Sequence, residues 1–317
     1  MPNNLKAASP CGLVYVQTTS QGLLAVTSEP EIAPSGSQLY FVFHGGSDTT
    51  GDGTFYRPFA TINRACTAIR ALGNASTTIR YAIFVGPGRF TEMLVMSDWT
   101  YITGTTTEAT RVTFTSFAFG PEWDTNVDHR CGLQSMTISG GGPVDFAVAT
   151  SEQGKMSFVN VWLADSWTFT AFALDNQVIF ANCLLSGFVQ TGFENFYVFN
   201  SSSLNSGVFV VNASATLNAY LSARATMLGG TLTMNATAKF SNLGWYDSSL
   251  TGLLTLNGAN ASVTVDSSVR NWVGGVTLTG GAPEPRYALT GSKGANAALA
   301  AVCTGLAATG GFLDSTT

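Results

Sequence analysis

Between about residues 150 and 280 one short pattern keeps returning: an asparagine-centred turn, a short alternating strand, a second turn and a glycine. Its clearest line runs through Asn212-Ala213-Ser214-Ala215-Thr216-Leu217, Asn235-Ala236-Thr237-Ala238-Lys239-Phe240 and Asn260-Ala261-Ser262-Val263-Thr264-Val265, which follow one another at nearly even spacing. Degenerate copies begin at Asn176 and Asn195, and glycines keep the same beat at Gly187, Gly207, Gly230, Gly252 and Gly275. A second asparagine often follows the strand, as at Asn182, Asn200 and Asn242.

A repeated unit that cannot bury its own apolar face must stack on its neighbours, so the period constrains the fold more than any other feature. Strands of period-two alternation between Asn, Gly and Ser turns, with no helical pattern between them, predict an all-β chain. About 22 residues suit one coil of a parallel β-solenoid. The Leu-x-x-Leu-x-Leu signature of a leucine-rich solenoid is absent.

Composition fits that architecture. Fourteen Lys and Arg and 19 Asp and Glu make only 10% of 317 residues, with a net charge of −5, against about 25% charged in an ordinary soluble domain. Stacked coils disfavour like charges on neighbouring strands, and Ser, Thr and Asn supply a neutral polar surface instead. The hydrophobic content, 45%, excludes a disordered chain. The cations are scattered rather than clustered, so no nucleic-acid partner is expected. No membrane span is expected either, since the apolar run Ala295 to Ala308 is short and mostly alanine. The opening residues lack the order of a secretory leader. Cys11, Cys66, Cys131, Cys183 and Cys303 form no C-x-x-C pair, and His44 and His129 are the only imidazoles. Buried thiols are therefore expected, and neither a metal centre nor a cofactor.

The ends of a solenoid need covers. Ile62, Ala65, Cys66, Ile69 and Leu72 fall on one face of a helix over 61–72, opposite Asn63, Arg64, Thr67 and Arg70, which predicts an amphipathic cap. Four regions result: an arm or attachment segment at 1–38, cap and first coil at 39–92, coils at 93–285 and a helical module at 286–317. Ala298, Leu299, Val302 and Leu306 form the apolar stripe of that last helix, with Gly310-Gly311 as its stop.

Phe41-Val42, Gly46-Ser47-Asp48, Gly51-Asp52-Gly53-Thr54, Pro58-Phe59-Ala60-Thr61-Ile62 and Ile83-Phe84-Val85-Gly86-Pro87-Gly88-Arg89-Phe90-Thr91-Glu92 together resemble the cap and first coil of the pectate-lyase-like β-helix superfamily. Its members include polysaccharide lyases, glycosidases and phage tailspikes. The resemblance implies a right-handed parallel β-helix. Leu289-Thr290-Gly291-Ser292-Lys293-Gly294 with the closing Phe312-Leu313-Asp314-Ser315-Thr316-Thr317 is similar to a C-terminal module of virion and tail-fibre proteins.

Hydrolysis or elimination on such a scaffold requires converging carboxylates. The coils offer few, and no two of them recur one coil apart in phase. The best local cluster, Glu122-Trp123-Asp124 with Asp128-His129-Arg130, sets Glu122, Asp124, Asp128 and His129 beside an aromatic ring. Its alternative is a solvated loop between coils. Trp162, Trp167, Trp245, Tyr246 and Trp272 form a candidate sugar-stacking or subunit-interface set, Trp245, Tyr246 and Trp272 foremost. Asp48-Thr49-Thr50-Gly51-Asp52-Gly53 reads as a turn rather than a calcium loop.

The expectation is a virion structural protein without catalytic activity: a homotrimeric fibre, spike or capsid decoration, attached to capsid or tail proteins through residues 1–38. Its alternatives are a tailspike-like depolymerase and a non-catalytic adhesin for a host surface glycan.

Overall fold

The computed structural model describes residues 4–9, 12–19, 22–27, 38–124, 128–140, 143–146, 154–171, 177–191, 195–199, 203–204, 207–213, 219–224, 227–235, 241–246, 249–250, 252–257, 261–265, 271–272 and 276–279. Between residues 38 and 279 the described strands form a parallel β-solenoid of three sheets with 10, 9 and 7 strands. The described strands of the first coils alternate between the first two sheets, and from His129 onward each coil visits all three in turn. His129–Gln134 lies in the first sheet, Thr137–Ser139 in the second and Pro143–Phe146 in the third, before Gly154–Val159 re-enters the first beside His129–Gln134.

Alternation along each strand sends one row inward. In the first sheet Ile83, Ile102, Leu133, Phe158 and Phe180 are successive partners, all 1% exposed or less. In the third, Trp167, Phe188, Phe209, Leu232 and Leu254 form the matching row. Like residues stack because successive coils superimpose: the Phe158 and Phe180 rings lie 4.8 Å apart at 16°.

The turns follow equally local rules. Ser135, Asn160 and Asn182, each directly after a first-sheet strand, have φ of 53°, 54° and 53°. This left-handed conformation is one that asparagine tolerates well among non-glycine residues. At the end of the third-sheet strands an asparagine ladder forms. Asn235 Nδ2 donates to Asn212 Oδ1 at 2.8 Å, and Asn257 Nδ2 to Asn235 Oδ1 at 3.0 Å. The stacked residue is thus Asn257, whereas the sequence repeat pointed to Asn260, which lies outside the described residues. Asn242, expected in a turn, sits within the strand Ser241–Tyr246 opposite Tyr220. Strand pairing sets both positions: Asn212, Asn235 and Asn257 are partners at the ends of successive third-sheet strands, while coil length elsewhere varies, short from Gln177 to its partner Asn195 and much longer from Thr100 to its partner Cys131. The glycine beat marks close backbone approach between coils, since a Cβ on Gly207 would sit 1.5 Å from the Ser186 carbonyl oxygen.

Before the first coils lies the helix Ile62–Leu72, with Thr61 as N-cap and Gly73 closing it at φ 63°. Ile62, Ala65, Cys66 and Ile69 are at most 1% exposed and join the same apolar cluster as Val42, Tyr81 and Leu94. Leu72, placed on the same face by periodicity, is 48% exposed. Within residues 1–38, the expected arm or attachment segment, the strands Asn4–Ser9, Gly12–Thr19 and Gly22–Thr27 pair antiparallel. The expected module at 286–317 lies outside the described residues. Among the described residues no helix is long and apolar enough to cross a membrane.

Candidate functional site

The acidic cluster of the sequence assembles around a residue outside it, Asp98. The first sheet pairs Thr100 with Cys131, which sets Asp98 and His129 on adjacent coils at the same phase. Asp98 Oδ2 and His129 Nδ1 are 2.8 Å apart. Asp98 Oδ1 accepts the N–H of Trp99 at 2.8 Å and that of Arg130 at 3.0 Å. The Asp98 N–H in turn donates to Glu122 Oε1 at 3.2 Å. Trp123 comes from the short 3-10 turn Pro121–Asp124 and stacks on the His129 ring at 5.0 Å and 24°.

An aspartate holding Nδ1 of a histidine orients the imidazole, as in acid–base catalysis, but a general base must also reach a substrate. Here His129 has no exposed surface, Asp98 is 5% exposed and Trp123 1%. The aromatic ring is therefore packing for the imidazole, not a platform open to solvent. Asp128 pairs with Arg130 at 3.0 Å, and Arg130 lies over one indole, that of Trp99, which Arg80 also covers. Burial pushes the Glu122 carboxyl above its usual range, against the hydrogen bonds and the Arg70 charge that lower it. Asp124 belongs to the 3-10 turn, and its side chain lies outside the described residues. The structure thus joins Glu122 and His129 through Asp98 and turns Asp128 toward Arg130.

Asp98 stands in phase with His129 although their spacing in sequence does not show it, because the coil from Thr100 to Cys131 is much longer than the regular repeat. The pair Asp98-Trp99 and His129-Arg130, each just ahead of a strand-pairing position, is the signal that a register assignment reveals.

Of the aromatic set, Trp167 is core at 1% exposure, while Trp162 is 39% exposed. Trp245 and Tyr246 belong to a first-sheet strand and Trp272 to a second-sheet strand; their side chains lie outside the described residues. Asp48 and Asp52 serve turns. Asp48 accepts the N–H groups of Ala60 and Thr61 and the Thr61 hydroxyl, and Asp52 accepts from Thr54 and Arg57. Cys66, Cys131 and Cys183 are buried free thiols, and burial raises Cys66 and Cys183 to about 12. Among the described residues no group of three or more His, Cys, Asp or Glu is placed to hold a metal ion.

Fold and cluster define the class as a parallel β-solenoid with a buried polar cluster between early coils. Comparison with family models, with characterised proteins and with solved structures finds no significant match.

Proposed function

We propose that this chain is a structural, non-catalytic component of a virion: the β-helical body of a homotrimeric fibre, spike or capsid decoration protein. The observation that carries the reading is the outward face of the third sheet. Six of its seven strands, from Trp167–Ala171 to Val276–Thr279, contain no charged residue, and the one charge of the sheet, Asp145, stands on the edge strand Pro143–Phe146. Val208 and Leu253, 59% and 41% exposed, stand in one row with Thr231 between them. A flat, neutral face of β-branched residues suits contact with further copies of itself, because burying it strands no charge. The right-handed winding, the capping role of Ile62–Leu72, a helical module at 286–317 and attachment through residues 1–38 belong to the same reading. They rest on the resemblances to β-helix and tail-fibre proteins.

Sedimentation velocity at micromolar concentration tests it. A trimer that dissociates when Val208→Lys is introduced supports the reading, and a stable monomer overturns the oligomer. Particles lacking the chain under electron microscopy with a specific antibody overturn the virion location. Reducing ends or unsaturated sugars released from surface polysaccharides overturn the non-catalytic role.

A further inference from the structure

Among the described residues, five buried apolar side chains stand apart from the core. Phe41, Ala82, Phe84, Trp99 and Tyr101 are between 2% and 7% exposed, yet none joins the cluster that Val42, Tyr81, Ile83, Val85 and Ile102 form inside the coils. Alternation gives the reason. In the first-sheet strands Gln38–Val42, Tyr81–Val85 and Thr100–Gly104 those core residues take the inward positions, so Phe41, Ala82, Phe84 and Tyr101 face outward, Phe41 paired with Phe84 and Ala82 with Tyr101. The outward layer is bounded: Tyr101 is followed on its row by Gly132 and Ser157, and Phe84 by Thr103 and Gln134.

Both margins of this patch have a visible cover. Phe43 packs on Phe41 and Phe84, with Phe55 against Phe41, and the guanidinium groups of Arg80 and Arg130 lie over Trp99 at 5.3 and 5.4 Å. Ala82 and Tyr101 sit between the two covers, and at 5% and 6% exposure they are as closed as core residues although they lie on the outside of a sheet.

We propose that the antiparallel sheet of residues 4–27 docks face to face on this patch of its own chain. Its register sets Leu5, Val16 and Ala25 in one row and Ala7 and Val14 in another row of the same face. A three-stranded sheet of this size is stable only through such an apolar face, which needs a partner to bury it. The tether fits, because residues 28–37 span at most about 35 Å. Gln38 then opens the edge strand of the sheet to be covered, and Leu39, Ala82 and Tyr101 follow on successive rungs. Charge agrees as well. The tether carries Glu29 and Glu31 and no cation, while Arg80 and Lys155 stand at the margin of the patch and enter none of the ion pairs among the described residues. The contact is internal to the chain, so it stands whether or not the segment also attaches to a particle.

The chain's lysines are Lys6, Lys155, Lys239 and Lys293. Lys6 belongs to the docking sheet, and Lys155 pairs with Arg130 on the outward row beside the patch. A short amine-reactive cross-linker applied to the full chain is expected to join Lys6 to Lys155 within one chain, read by mass spectrometry on a mixture of isotope-labelled and unlabelled protein. Hydroxyl-radical footprinting supplies the second readout: Tyr101 is protected, while Tyr56, 81% exposed, reacts and serves as the reference. Val16→Asp places a charge in the docking face and is expected to raise Tyr101 labelling several-fold with Tyr56 labelling unchanged. Absence of the Lys6–Lys155 link, a link found only between chains, or Tyr101 labelling that does not respond to Val16→Asp overturns the proposal.

Discussion

Asn63 and Glu92 hold each other across the junction of helix and first coils. The Asn63 N–H donates to Glu92 Oε2 at 2.7 Å, while Asn63 Oδ1 accepts the N–H of Val95 at 3.0 Å. Glu92 Oε1 also takes the N–H of Ile62 at 3.1 Å. The first turn of the helix has no acid of its own, so a strand distant in sequence supplies the anion that a helix N-terminus favours. Together with Asp48 on Ala60 and Thr61, this gives two of the three acids of the β-helix-like motif, Asp48 and Glu92, a role in anchoring the helix.

Glu92→Ala leaves two helix N–H groups without their acceptor, and a cost of about 2 kcal/mol is expected from charged hydrogen bonds of this kind. Burial holds the Glu92 carboxyl above its usual range despite those bonds. The unfolded chain therefore ionises at lower pH than the folded one, and the folded state gains as pH falls through that window. Urea unfolding of wild type and Glu92→Gln at pH 7 and pH 4.5 checks the sign: the difference shifts toward wild type on acidification. Parallel changes in the two proteins refute it.

Asn235 is the middle rung of the ladder, giving one side-chain bond and receiving another. Asn235→Ala removes both and is expected to cost about 1 to 2 kcal/mol. Asn235→Asp replaces the donor toward Asn212 with a charge, so it destabilises more at pH 7 than at pH 4. Thermal melts at the two pH values distinguish it from the alanine variant, whose cost stays constant.

Gly207→Ala drives a methyl into the Ser186 carbonyl, 1.5 Å away, whereas Gly45→Ala meets nothing within 4 Å. The first is expected to cost more than about 3 kcal/mol or to abolish soluble expression, the second less than about 0.5 kcal/mol. Equal melting temperatures for the two variants contradict the close stacking of coils at Gly207.

Asp98→Ala removes the partner of His129 Nδ1 and the acceptor of two backbone N–H groups. Breaking a buried pair by deleting one member costs about 3 to 5 kcal/mol. Chemical denaturation measures this, and a loss below about 1 kcal/mol is incompatible with the pair's holding adjacent coils together.

Cys66, Cys131 and Cys183 are buried, and burial raises their thiol pKa values. Since the thiolate is the reactive form, none of the three is expected to react with a thiol reagent in the native protein at pH 8. Mass spectrometry of labelled peptides before and after unfolding reads this directly. Native labelling at any of the three would show that its helix or coil opens.

Much of the architecture is legible along the chain. Alternation in segments such as Thr231-Leu232-Thr233-Met234 marks inward and outward rows, and periodicity marks the helix face of Ile62, Ala65, Cys66 and Ile69. These signals are local, because a strand or helix has a fixed period whatever it packs against. Registration is not local. Asn257 rather than Asn260 stands in the ladder because strand pairing sets it opposite Asn235, and Asp98 meets His129 across the long coil from Thr100 to Cys131.

The charge-poor repeat thus determined, by itself, that the chain stacks strands into a solenoid with a neutral surface. Tertiary structure alone decided which residues share a rung. It placed Trp123 and His129 inside the fold and aligned Ala82 and Tyr101 on one outer row. The physical reason is that strand pairing fixes phase between coils by backbone hydrogen bonding, whether the coil is as short as that from Gln177 to Asn195 or as long as that from Thr100 to Cys131. Spacing along the chain cannot report that phase once loops of unequal length intervene.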